Sequence, residues 1–175
     1  MPPEEEKKEP KFTRAEAHKV FAISLFNRCW EIMGQASMTD ADKDELIHAA
    51  HGSAWHWSKI GKAVNQQRAQ WMISRVNCVL GNVEGAMNGA RRCMEFTEAS
   101  LDGDNFKPDS GLQDFDLAFA TEALARAHAL AGMAEESAEF RKVAQKFGEA
   151  IKDEEDRKIF NEEFEKGPWN PSAER

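Results

Sequence analysis

The chain has 175 residues, of which 41% are hydrophobic and 31% charged, with a formal net charge of −8. That size and balance predict one globular domain with a substantial core. They exclude a membrane span, because no apolar run approaches the roughly 20 residues one needs, and the acidic balance speaks against nucleic-acid binding across the surface.

Residues 1–11, MPPEEEKKEPK, are charged, contain proline and hold almost nothing to bury. They read as a disordered tail without the apolar segment of a secretory signal. Residues 12–169 read as a single α-helical domain, and 170–175 as a flexible C-terminus. The three cysteines, Cys29, Cys78 and Cys93, all fall in helical stretches. An odd number without close pairing predicts reduced, buried thiols and a cytoplasmic location.

The first helix opens at Thr13 with a capping box completed by Glu16, and Gly34 ends it. Val20, Phe21, Ile23, Leu25, Cys29, Trp30, Ile32 and Met33 give it a wide apolar surface. The second begins at Thr39, with Asp42 in the capping position, and runs to Gly61; Leu46, Ala50, Ser53, Trp57 and Ile60 share its core stripe. His48, His51 and Trp55 fall on its opposite side, with His56 between. The third is expected to be capped by Asn65 and to bury Ala69, Met72, Ile73, Val76, Val79 and Leu80. Arg68, Trp71 and Arg75, spaced i, i+3, i+7, share another of its faces. Asn82 caps the fourth helix, which presents Ala86, Ala90, Cys93, Met94 and Thr97.

Ser100 to Gln113 is the one long loop, broken by Gly103, Pro108 and Gly111. Its aspartates fail the EF-hand pattern, with Phe106 and Lys107 where an oxygen ligand and a glycine belong, so it reads as an ordinary connection. A fifth, alanine-rich helix starts near Asp114 or Asp116 and ends before Gly132; Phe119, Glu122 and Arg126 share one face. A sixth covers about Ala134 to Ala150 and buries Phe140, Val143, Ala144 and Phe147. A seventh, capped by Asp153, has Ile159, Phe160 and Phe164 as its apolar side. Gly167-Pro168 stops it, and Trp169 pins the end of the chain.

The segment following Trp71 resembles a tetratricopeptide (TPR) hairpin. Gly81 sits at the turn glycine, Ala86 five residues on, and Ala90 and Cys93 at small packing positions. The second hairpin, with Gly132, Ser137, Arg141 and Ala144, matches less well, and the turn glycines are 51 residues apart where a regular array repeats every ~34. The stretches AHGSAWHW (Ala50–Trp57), VNQQRAQWMISRV (Val64–Val76) and DFDLAFATEALARAHALAG (Asp114–Gly132) are also similar to a bacterial family of TPR-like proteins without an assigned activity. The second of these departs from that pattern at Ala69-Gln70. The resemblance implies an all-α, right-handed stack of antiparallel hairpins with about seven helices, the last serving as a polar-faced cap. It implies no reaction.

In such a stack the first helix of each pair lines a concave groove. That places Arg68, Trp71, Arg75, Phe119, Glu122 and Arg126 together. Arginines beside aromatics suit an acidic peptide, a chain terminus or a small anion, and predict a protein-interaction module with a protein or peptide partner. The alternative is a binding protein for a small anionic ligand or a metal, with catalysis an open question, that uses the same groove with His51 and His56. Glu45, His48 and His51 lie three apart on one helix face, as helical metal sites require, but no second Glu-x-x-His completes a set. No catalytic residue is assigned, because there is no GxSxG, phosphate loop or Rossmann fingerprint, and no cofactor is expected. Five tryptophans and eleven phenylalanines exceed what a narrow helical stack hides, which predicts a homodimer.

Overall fold

The structure is a computed structural model describing residues 12–167 and 169. The expected tails at 1–11 and 170–175 lie outside the described residues. Seven helices make up the fold: α1 (Arg14–Met33), α2 (Asp40–Ile60), α3 (Ala63–Val79), α4 (Val83–Ala99), α5 (Asp114–Leu130), α6 (Ala134–Glu149) and α7 (Glu154–Glu165). The fold class is all-α. One feature escaped the sequence reading: β1 (Leu101–Asp102) pairs antiparallel with β2 (Asn105–Phe106) inside the long loop. Gly103, at φ 61°, turns this pair over, as a two-residue hairpin requires.

Local signals set most helix starts. Thr13 and Glu16 form a reciprocal capping box on α1, as do Thr39 and Asp42 on α2. Asn82 caps α4 and Asp153 caps α7. Helix α3 differs from expectation. Its N-cap is Lys62, three residues before Asn65, whose side-chain oxygen reaches back to accept the Lys62 backbone N–H at 2.9 Å. An asparagine can satisfy the first turn from the N-cap or from N3, and its sequence position does not say which.

Helices α1 with α2, α3 with α4, and α5 with α6 form three closely packed hairpins. The last two turn identically. After α3, the Gly81 N–H donates to Cys78 O and the Asn82 N–H to Asn77 O. After α5, Gly132 donates to Ala129 O and Met133 to His128 O. Each is a Schellman closure on a glycine at positive φ, 72° and 76° respectively. The likeness extends to side chains, since Ser74 Oγ donates to Ala86 O and Ser137 Oγ to Ala125 O, both at 2.9 Å.

The core lies where the hairpins meet. Met72, Ile73 and Val76 of α3 pack with Leu46 and Ala50 of α2, with Ala86, Ala90 and Cys93 of α4, and with Ala120, Ala123 and Ala127 of α5. The alanines allow α5 to run through the middle with eleven of its 17 residues buried and none exposed. A smaller cluster of Ala118, Ala144, Ile151 and Phe160 seats α7 against α5 and α6. Eight residues expected on apolar faces are exposed instead: Val20, Phe21, Ile23 and Trp30 of α1, Ile60 of α2, Val79 of α3, Val143 of α6 and Ile159 of α7. The first three lie on the outward side of α1, the first helix of the stack. Among the described residues no helix is long and apolar enough to cross a membrane.

Candidate functional site

Helices α1, α3, α5 and α7 lie side by side, each packed on the next, and between them is a cleft of about 340 Å³. Five aromatic rings wall it: Phe26 and Trp30 from α1, Trp71 from α3, and Phe115 and Phe119 from α5. Trp71 is central. Its ring meets Trp30 on one side at 5.7 Å and Phe119 edge-on at 5.5 Å. Offset and edge-on packing of this kind fixes ring orientations while leaving an apolar floor. Ile159 and Glu163 of α7 close the far side.

The cleft holds three of the six residues that helical phase placed on one face: Arg68, Trp71 and Phe119. Arg75, Glu122 and Arg126 lie behind it, in the interior. The face expected to carry free arginines carries paired ones. Arg68 donates through Nε and Nη2 to both oxygens of Asp116, at 2.8 and 3.0 Å. Arg75 donates to Glu163 at 3.2 Å, and Arg126 pairs with Glu122 one turn away. The physical reason is burial: the Arg75 and Arg126 guanidiniums are held among helices, and Arg68 meets the buried Asp116 carboxylate, so each buried charge takes a counter-charge. Burial holds Arg75 below its ordinary pKa, with Arg126 adding repulsion.

Arg126 also donates to the backbone carbonyls of Glu163 and Gly167, fastening the end of α7 to the middle of α5. The Trp169 ring lies over the Arg126 guanidinium at 4.8 Å and against Phe164 at 5.0 Å. Glu122 has a second partner, accepting the Trp71 indole N–H at 3.3 Å. The interior charges therefore hold the cleft's floor and fourth wall in place.

One guanidinium reaches the solvent side of the cleft. The Arg68 side chain is 43% exposed and lies over the Phe115 ring at 4.9 Å. With Nε and Nη2 on Asp116, its Nη1 has no partner among the described residues. Beside it, Gln67 donates its amide to Asp116 O at 3.0 Å, while its Oε1 is buried with no partner among the described residues. The lip of the cleft thus offers one anion donor, with an unsatisfied acceptor buried behind it.

Sequence reasoning missed Phe26, Trp30, Gln67, Phe115, Asp116, Ile159 and Glu163 as site residues. Asp116 carried a usable signal, because it completes a capping box on α5, accepting the Gln113 N–H at 2.9 Å, and so has a fixed position from which to hold Arg68.

The helix 2 histidines lie elsewhere. His51 is exposed, and His56 faces His18 at the α1–α2 contact; neither lines the cleft. The Glu45 carboxylate is held by Arg28 at 2.7 and 3.0 Å, which keeps its pKa low, and His48 is exposed. Among the described residues no three His, Cys, Asp or Glu side chains converge as a metal site would require.

Comparison with known proteins finds no match: no family model fits the chain, and no curated protein or solved structure matches it.

Proposed function

We propose that the chain is a non-enzymatic interaction module that captures a peptide terminus in the aromatic cleft. The observation that carries this reading is the pairing of five aromatic walls with the half-exposed Arg68 at the lip. A cleft of this volume takes one large apolar side chain. Arg68 Nη1 donates to the adjoining carboxylate. Rigid aromatic pockets with a neighbouring arginine are where interface energy concentrates. The acidic character of the ligand narrows to that one carboxylate, since Asp116 and Glu163 also border the cleft. The TPR-like hairpin pattern, with its lining helices, supports the same assignment.

The test is tryptophan fluorescence, because Trp30 and Trp71 are both in the cleft. Peptides ending in leucine or phenylalanine are titrated as free acids and as C-terminal amides. The free acids are expected to bind, and amidation or Arg68→Ala to weaken binding about tenfold, the loss of one charge-assisted contact. Equal binding of acid and amide, or no binding, removes the proposal. An aromatic monocarboxylate satisfies the same chemistry. If it binds as tightly as the peptides, the small-ligand reading replaces the peptide one.

The uncovered face of α1, with Val20, Phe21 and Ile23, supports a homodimer contact there, which light scattering showing only monomer at high concentration removes. The free thiols suit a reducing, cytoplasmic setting.

A further inference from the structure

Helix α3 is used on both sides. At 100° per residue, Arg68, Trp71 and Arg75 point one way, and Gln66, Gln70, Ile73 and Asn77 point the opposite way. That second face floors a separate groove of about 520 Å³. It exists because α2 and α4 both pack on α3 while scarcely touching each other.

The lining is chemically selective. It contains no aspartate or glutamate, in a chain with 31 acidic residues. Its floor and α4 wall carry side-chain amides where a helix interface ordinarily places apolar groups. Gln66 is anchored by donating to Trp57 O at 2.7 Å, which leaves its carbonyl oxygen free of partners among the described residues. Asn77 is fixed by Ile73 O and by the Asn82 amide. Gln70, by contrast, makes no side-chain hydrogen bond among the described residues, and the same holds for Arg92 on the α4 wall and His51 on the α2 wall. These three carry unused donors into the groove.

An amide side chain offers one donor group and one acceptor, the same pair that a peptide backbone presents. Gln66 and Gln70 are one turn apart, as are Asn88 and Arg92, so each pair repeats at about 6 Å along its helix. An extended chain repeats its backbone groups on one side every two residues, about 6.6 Å. The two spacings match over a short run. From Ile47 to Ser58 the α2 wall is about 16 Å long, enough for about five extended residues. Arg92, with no acid among the lining residues, selects negative side chains on that chain.

We propose that the groove between α2 and α4 binds an extended, acidic polypeptide segment through its backbone, independently of the aromatic cleft. The segment is internal, since nothing in the lining calls for a terminus. With the cleft on the other side of α3, the chain then has two binding faces that share one helix.

Because the backbone is what the amides recognise, a single designed sequence tests the proposal. The probe is the blocked peptide Ac-GEVEVEG-NH2, compared with Ac-GKVKVKG-NH2 and with a backbone N-methylated copy of the acidic peptide. Titrations of the full chain are followed by nitrogen-15 NMR. The acidic peptide is expected to shift the side-chain amide signals of Gln66, Gln70 and Asn88 and to saturate. The lysine peptide should bind at least tenfold more weakly, and N-methylation should abolish binding. Gln70→Ala and Arg92→Ala should each weaken it about tenfold, with unchanged thermal melts, while Arg68→Ala leaves it unaltered. Absence of shifts at the groove overturns the proposal. So does equal binding of the lysine or N-methylated peptide, or shifts confined to the Trp30 and Trp71 signals of the cleft. If binding survives both groove variants, the peptide sits elsewhere and the proposal is likewise overturned.

Discussion

Glu122 and Arg126 pair across one turn of α5 with 1% and 3% of their side chains exposed, the most deeply buried ion pair among the described residues. Removing one partner strands the other charge in the interior. Glu122→Ala is therefore expected to destabilise the fold by about 3–5 kcal/mol, and also takes away the acceptor of the Trp71 indole. Replacing both, as Glu122→Leu with Arg126→Met, should recover most of that loss, because two apolar side chains need no counter-charge. Urea denaturation of the three proteins measures this. A Glu122→Ala loss below about 1 kcal/mol would mean that the carbonyls of Glu163 and Gly167 suffice to hold Arg126.

His18 and His56 face each other Nδ1 to Nδ1 at 2.9 Å across the α1–α2 contact. One ring must donate and the other accept, so the contact requires a neutral acceptor. Arg14 and Lys59 border the pocket that His18 lines, adding positive charge. Burial, then the His18 charge, lowers the His56 pKa below its ordinary 6.5. The unfolded chain thus binds the proton more readily than the folded one. The stability from this group is complete above 6.5 and is lost as pH falls through that value toward the lower folded pKa. Thermal melts between pH 8 and 5 should show Tm falling on the acid side, and His56→Phe should flatten that part of the profile. An unchanged profile in the variant would place the pH dependence elsewhere.

Gly89 sets helix propensity against packing. In the interior of a helix, alanine is preferred over glycine by about 1 kcal/mol. A Cβ at Gly89, however, would lie 2.6 Å from the Ser74 backbone nitrogen and 2.9 Å from its Cα. Backbone cannot swing aside, and overpacking costs about 1–3 kcal/mol. Gly89→Ala is expected to be net destabilising by about 1–2 kcal/mol in denaturant titration. A stabilised variant would show that α3 and α4 can separate freely.

Burial raises all three thiols, Cys29 and Cys78 to about 11 and Cys93 well above its ordinary value. Thiolate is the reactive form. At pH 8 a disulfide reagent such as dithionitrobenzoate should label the native protein slowly and label all three cysteines at once after denaturation. Rapid labelling of one native thiol would indicate local opening around it.

The parts of this fold legible in the sequence are those whose causes are local. Thr13 with Glu16, Thr39 with Asp42, Gly81 and Gly132 each act within six residues, and each boundary follows from them. The strand pair at 101–106 was not legible, because two residues per strand carry no alternation. In the site, helical phase brought Arg68, Trp71 and Phe119 to one cleft. It could not supply their partners. Asp116 lies 48 residues from Arg68 and Glu163 lies 88 from Arg75, and only tertiary packing decides that these acids meet those guanidiniums. The expectation of open arginines failed at that step.

The matched closures at Gly81 and Gly132 bear on how the chain reaches this shape. Each lets two helices meet after a turn of three residues, so each hairpin can collapse with little loop-closure entropy. The slower step is bringing finished hairpins together, across the longer connection from Ser100 to Gln113. Low contact order of this kind favours rapid folding. Substitutions at the two turn glycines should therefore slow folding, while changes at the Arg126 clasp, formed only after α7 docks, should speed unfolding.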